Sequence, residues 1–332
     1  FNLLHLAGAV AAGLQLHAQA IELYRRALAL TPGDLAVSYK LGRVLYEAGK
    51  HQEALSLYLQ LIAADVQHAD IFHAAALLLQ DFNRNEEALQ TIEHALRLAP
   101  QNPDAWHRHG VLLQRLQRPG DALQSLQQAV ALAPAQTVYR FDLALLEYEL
   151  HRNDEALASV DQVLAQEPDF GDGWVCRAAS LGRLRRYEES IAAARKALSL
   201  RAGYADASVN LALTLLALGR FDEAWPLYEA RWQGELADPQ RHRDVARWPG
   251  VHAAVGKTVL LWAEQGLGDA IQFSRYAQQV AALGAHVVLE AHAALKTLLQ
   301  TLETDPDSGK PTRIIVKAIG EDLPAVDYQL PL

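Results

Sequence analysis

The residues best placed to do chemistry lie in one short stretch, Glu264-Gln265-Gly266-Leu267-Gly268-Asp269. It follows a β-branched apolar run, Thr258–Ala263, and precedes a segment with helical apolar spacing at Ile271, Phe273, Tyr276, Ala277 and Val280. A strand-to-helix turn presents unpaired N–H groups and the positive end of the helix dipole. Gly266 and Gly268 permit tight backbone geometry beside Gln265, so the turn is a candidate site for an anion or a hydroxyl. Asp269, at the helix start, has two readings. It is either an N-cap or a carboxylate aimed into a cleft, able to take the proton of an acceptor hydroxyl.

A second candidate is spread along the chain. His5, Tyr39, His73, His107 and Phe141 recur every 34 residues, Lys40 and Arg108 stand one place further on, and Tyr46 and Tyr148 share a later position. An aromatic and imidazole stripe flanked by donors suits an extended peptide. The same rings can equally pack between helices. Three other chemistries fail on spacing. A dinucleotide fingerprint needs Gly or Ala where Ile271 stands, although Glu290 lies where a ribose contact would. A phosphate loop around Gly256-Lys257-Thr258 has Val251 at its upstream Gly and precedes a strand. The close pair His107 and His109 falls on two faces of one helix, so no metal site is expected.

The elements that hold these residues follow from a lattice. Pro32, Pro100, Pro134 and Pro168 share a 34-residue period, and so do Ala20, Ala54, Ala88, Ala122, Ala156, Ser190 and Ala224. The units run near 1–34, 35–68, 69–102, 103–136, 137–170, 171–204 and 205–234. Each reads as a helix–turn–helix that cannot bury its apolar face alone and must stack on its neighbours. The first helix carries an apolar-then-small pair, as in Leu41-Gly42 and Leu211-Ala212, which lets the second helix approach. An acid (Glu53, Glu87, Asp121, Glu155, Glu189 or Glu223) opens most second helices and complements the dipole.

Trp106, Gly110, Ala122, Ala129 and Pro134 match the signature of the tetratricopeptide repeat, which residues 1–232 resemble throughout. The resemblance implies an α-solenoid whose first helices line a concave groove. It implies a protein or peptide there, contacted by Tyr39, Lys40, Tyr46, His73, His107, Arg108, Phe141 and Tyr148. The family's Lys/Asn clamp for a C-terminal carboxylate is absent, and of its Asn ladder only Asn210 fits.

Beyond the last unit, 235–256 reads as a connector. From 257 the pattern becomes strand–helix–strand–helix–strand: Thr258–Ala263, a helix from Ala270 to Leu283, His286–Glu290, a helix over Ala293–Leu302, and Thr312–Lys317. That is a partial α/β, Rossmann-like half domain. The stretch Leu261–Tyr276 resembles bacterial tetratricopeptide proteins whose C-terminal region is a GT-B glycosyltransferase related to the heptosyltransferases. That resemblance implies sugar transfer to a recruited acceptor, with Asp269 as general base and Gln265, Gly266 and Gly268 at the substrate. It also implies a sugar-nucleotide donor bound mostly by a second such domain. Residues 257–332 then form the N-terminal part of an incomplete domain, and the chain alone is expected to hold no cofactor and to be inactive. The alternative is a non-enzymatic adaptor.

The bulk composition narrows the partners. The 332 residues carry a formal charge of −9, and both parts are mildly acidic, which argues against binding driven by nucleic-acid phosphates. No apolar run is long enough to span a bilayer. The single cysteine, Cys176, suits a reducing, cytoplasmic setting. The chain has no Met, at its start or elsewhere, and is expected to be a fragment or a processed product.

Overall fold

The computed structural model describes residues 2–233, 241–242, 244–264, 266–304 and 312–332. The chain divides into two compact units, Phe1–Gly234 and Glu235–Leu332.

The first unit is seven helical hairpins on the expected lattice. They are α1 (Asn2–Gly13) with α2 (His17–Leu30), α3 (Leu35–Glu47) with α4 (His51–Ala63), and α5 (Ala69–Asp81) with α6 (Asn85–Leu98). Next come α7 (Pro103–Arg115) with α8 (Pro119–Leu132), and α9 (Thr137–Glu149) with α10 (Asn153–Gln166). The last are α11 (Gly171–Arg183) with α12 (Tyr187–Leu200), and α13 (Ala205–Ala217) with α14 (Phe221–Tyr228). The turn inside every hairpin passes through a left-handed residue: Gln15, Gly49, Asn83, Gln117, His151, Arg185 and Gly219, with φ from 57° to 74°. The next residue is the N-cap of the second helix. In five hairpins it is an Arg that pairs with the acid three places on: Arg84–Glu87, Arg118–Asp121, Arg152–Glu155, Arg186–Glu189 and Arg220–Glu223, at 2.7–2.9 Å. The acids therefore serve both the helix dipole and a local ion pair.

Close packing within the hairpins explains the small residues. All seven lattice residues from Ala20 to Ala224 are 0% exposed. A Cβ on Gly42 would lie 2.4 Å from the Tyr58 ring, and one on Gly110 2.8 Å from Leu126. The Tyr58 hydroxyl donates to the Tyr39 carbonyl at 3.2 Å, which satisfies the one polar atom of a buried ring.

The second unit holds a small parallel sheet of β1 (Thr258–Trp262), β2 (His286–Ala291), β3 (Ile314–Ala318) and β4 (Tyr328–Pro331), in the order β3-β2-β1-β4. β1 and β2 are near-continuous apolar runs because both of their faces are buried. Three expectations are corrected here. The single helix from Ala270 to Leu283 is two, α15 (Leu267–Ser274) and α16 (Tyr276–Ala282), meeting at Arg275. The helix over Ala293–Leu302 shrinks to α17 (Lys296–Leu299) between two 3-10 turns, Ala293–Leu295 and Gln300–Glu303. The short strand β4, which the sequence pattern does not announce, ends in Pro331 and lies at the sheet edge, where Pro is tolerated. Asp327 pins it, accepting from the Thr258 amide at 2.9 Å and from Lys257 at 3.0 Å.

The described part of the connector belongs to this unit. The Trp248 amide donates to the Gln329 carbonyl at 2.9 Å, and the Gln329 amide to the Ala246 carbonyl at 2.9 Å. The Trp248 ring packs on the core of the sheet.

Candidate functional site: the first-helix surface and the strand–helix turn

Along the solenoid, side chains reach from one repeat to the next with an offset of 35 residues, one more than the period. Lys40 donates to His5 at 2.8 Å, and His107 Nε2 lies 2.6 Å from Asp142. Arg108 Nε faces His73 at 3.5 Å, and, at a different offset of 28 residues, Arg108 Nη1 donates to Gln80 at 2.9 Å. Tyr139 donates to Asp104 one repeat back, and Arg183 donates to the Tyr148 carbonyl at 2.6 Å. The offset has a geometric cause: stacked hairpins rotate slightly, so a side chain meets the next position of its neighbour.

Several of the predicted groove residues belong to this ladder. Lys40, His73, His107 and Arg108 are half-buried and bonded across repeats. Burial, with the Arg108 charge beside it, lowers the pKa of His73. Burial likewise lowers that of Arg108, against the pull of Asp81. Phe141 packs edge-on against Phe170 at 4.8 Å, and the Arg183 guanidinium covers the Tyr148 ring at 3.5 Å. Tyr39 lies 6.2 Å from the Tyr58 ring and Tyr46 lies 4.7 Å from His51, and both keep part of their surface open. Burial, and then the Asp81 carboxylate, raises the pKa of Tyr46. The lone thiol, Cys176, is buried, which pushes it up to about 11 and leaves it unreactive.

At the strand–helix turn, Gly266 is the N-cap of α15, so Asp269 is not the cap. Asp269 stands in the first helical turn, exposed, where the dipole favours a carboxylate. Gly266 has a negative φ, and Gly268 has open space around its Cβ position, so the turn does not depend on left-handed glycine. Gln265 lies outside the described residues. Glu290, at the end of β2, is 3% exposed and occupied. Arg241 Nη1 lies 3.2 Å away and His242 Nε2 2.9 Å away, both packed near Trp262. Among the described residues no group of three His, Cys, Asp or Glu is arranged to hold a metal ion. Among them, too, no helix is long and apolar enough to cross a membrane.

Stacked hairpins with a cross-repeat side-chain ladder define a helical-repeat scaffold. Tetratricopeptide-repeat family models match residues 11–78, and 73–137, 141–203 and 177–238. The chain belongs to the tetratricopeptide-repeat proteins. No curated protein matches it. Among solved structures it is similar to the C-terminal part of a repeat protein from Cytophaga hutchinsonii, at 14% identity and TM-score 0.56, covering 70% of this chain and 96% of that one. It is also similar to a tetratricopeptide repeat protein from Parabacteroides merdae, at 20% identity and TM-score 0.53, covering 71% and 93%. A third is YrrB, described as a repeat protein with an unusual peptide-binding site, at 23% identity and TM-score 0.51, covering 59% and 97%.

Proposed function

We propose that the solenoid is a protein-binding scaffold that holds an extended peptide along its first helices. The carrying observation is the half-buried ladder, which fixes donors and rings on successive repeats at a regular spacing. Tyr39 and Tyr46, the least committed aromatics, supply contact area, and Lys40 and Arg108 supply charge held rigid by their neighbours. Peptide binding is what YrrB's description states of that protein, and this reading extends it here. The test is selection of binders from a random-peptide display library on the full chain. Tyr39→Ala and Tyr46→Ala should each weaken selected peptides by about tenfold. Phe221→Ala, on the exposed face of α14, should not. Peptides indifferent to both tyrosines would sink the reading.

A second reading rests on the parallel strand order and on the helix start that follows β1. In it, 257–332 is the first part of a Rossmann-like, GT-B-type glycosyltransferase domain that uses a sugar-nucleotide donor. The Asp269 carboxylate takes the acceptor's hydroxyl proton while that oxygen bonds to the anomeric carbon, and the bond to the leaving diphosphate breaks. Helix N–H groups near Gly266 and Gly268 stabilise the anion. A second nucleotide-holding domain is required, so this chain alone should show no transfer. Transfer by this chain alone would overturn the need for a second domain, and transfer that survives Asp269→Asn when such a domain is supplied would overturn the assignment of the base.

A further inference from the structure

Repeats four and six share a Trp anchored in the same way. The Trp106 indole N–H donates to the Pro100 carbonyl, and that of Trp174 to the Pro168 carbonyl, both at 2.8 Å. Three places on, the two repeats part. Repeat six has Arg177, whose guanidinium lies 5.7 Å from the centre of the Trp174 ring and donates to Asp161 of the preceding hairpin at 2.7 Å. Repeat four has His109 at that position, Glu93 where Asp161 stands, and Ser125 where Ala193 stands. Leu41, Leu143 and Leu211 fill the same position in repeats two, five and seven.

The imidazole meets the Trp106 ring edge-on, with the ring centres 5.9 Å apart. It turns inward, with Nδ1 2.8 Å from the Ser125 hydroxyl and Nε2 3.9 Å from Glu93. Beside it lies a cavity of about 470 Å³, lined by Trp106, His109, Leu113, Glu93, Ser125 and Gln128. Arg118 and Asp121 at its rim are paired with each other at 2.7 Å. Burial holds His109 below the ordinary imidazole value, so it adds no positive charge at neutral pH. The side chain of Glu93 is 45% exposed, much as Asp161 is at 48%, so the carboxylate can be reached from solvent.

Repeat six thus carries, within its own chain, the group that repeat four lacks. We infer that the cavity beside Trp106 is a binding site for a guanidinium, supplied by an arginine side chain of a partner polypeptide, with Trp106 as the aromatic face and Glu93 as the counter-charge. A cation over an indole, paired with a carboxylate, suits arginine better than lysine, because the planar guanidinium stacks and bonds at once. The site uses positions four, seven and eleven of the first helix, so it stands independently of the peptide reading.

The test follows the indole N–H signal of Trp106 by NMR in the full chain, assigned through Trp106→Phe, during titration with methylguanidinium. Saturable shifts at about millimolar concentration are expected. Glu93→Gln should weaken binding about tenfold or more. His109→Arg should abolish it by placing a guanidinium of the chain itself beside Trp106 and Glu93, as Arg177 stands beside Trp174 and Asp161. Arg177→His should open the matching cavity, so that the Trp174 indole responds as well. No shift at Trp106, or a shift that survives both Glu93→Gln and His109→Arg, overturns the site. Acetyl-Gly-Arg-Gly-amide should bind at least as well as methylguanidinium. If free arginine binds and that peptide does not, the polypeptide source is overturned. Glu93 is a surface residue, so its variant keeps the test decisive should Arg177→His fail to fold.

Discussion

The solenoid and the α/β unit solve the same problem, burial of apolar area, over different distances along the chain. In the solenoid, partners sit 12–35 residues apart and the solution is written again in each unit, as with Gly42 against Tyr58 and Gly110 against Leu126. In the second unit, β1 pairs with β2 some thirty residues on and with β4 seventy residues on, and each pairing occurs once. Damage should therefore stay local in the first unit and spread through the second.

The largest expected effect tests the second half of that contrast. Glu290 is buried between Arg241 and His242 at the end of a central strand. Removing one partner of a buried pair leaves the other charge uncompensated. Glu290→Ala should cost about 3 kcal/mol, and amide exchange should rise across all four strands together. Faster exchange confined to β2 would break the contrast.

Gly42→Ala tests the other half. The new methyl meets a ring that is 1% exposed and hydrogen-bonded, so it has little room to give. The expected loss is about 1–3 kcal/mol, with faster exchange in α3, α4 and their immediate neighbours and none in α11 to α14. Gly120→Ala is the control. Its Cβ meets nothing, and a gain of about 0.5 kcal/mol is expected from helix propensity.

The left-handed turn residue sharpens the comparison between repeats. Two hairpins use Gly49 and Gly219 there, and Arg185 bears the same conformation with a full side chain. Arg185→Gly should stabilise by about 1 kcal/mol, net of chain entropy, as read by urea unfolding. An unchanged or lower midpoint would mean that the exposed Arg185 side chain carries contacts worth as much as the strain.

The lattice explains why so much of the solenoid was legible in the sequence. A small residue every 34 places has one meaning when each copy is 0% exposed against its partner helix. The α/β unit was half legible. β1 and β2 announce themselves as β-branched runs, but β4 is four residues held by Asp327, Gln329 and the connector, which no local pattern reveals. The candidate groove residues follow from their place on the lattice, while their mutual bonds do not, because a 35-residue offset differs from the 34-residue period. The His109 cavity was legible in principle. Comparing Leu41, His109, Leu143, Arg177 and Leu211 at one lattice position singles out the two polar occupants.

The smallest effect separates a buried carboxylate of the solenoid from the exposed ones around it. Glu147 is 4% exposed and accepts from the Ser159 hydroxyl at 2.8 Å. Burial raises its pKa, against that hydrogen bond and the Arg152 charge. The folded value therefore lies above the unfolded one, so the native state holds the proton more tightly. Stability falls as pH rises between the two values, and above the folded one the burial penalty is present in full. Exposed Glu155 runs the other way: its own backbone amide and then Arg152 lower its pKa, so its contribution is present at neutral pH and lost on acidification. Glu147→Gln keeps an acceptor for Ser159 and removes the charge. It should raise the urea midpoint at pH 7, and the gain should shrink as pH falls through the raised value. A gain that is constant with pH would place the effect in packing and not in ionisation. A loss that grows as pH rises, and vanishes on acidification, would show that Arg152 holds the carboxylate more strongly than burial opposes it.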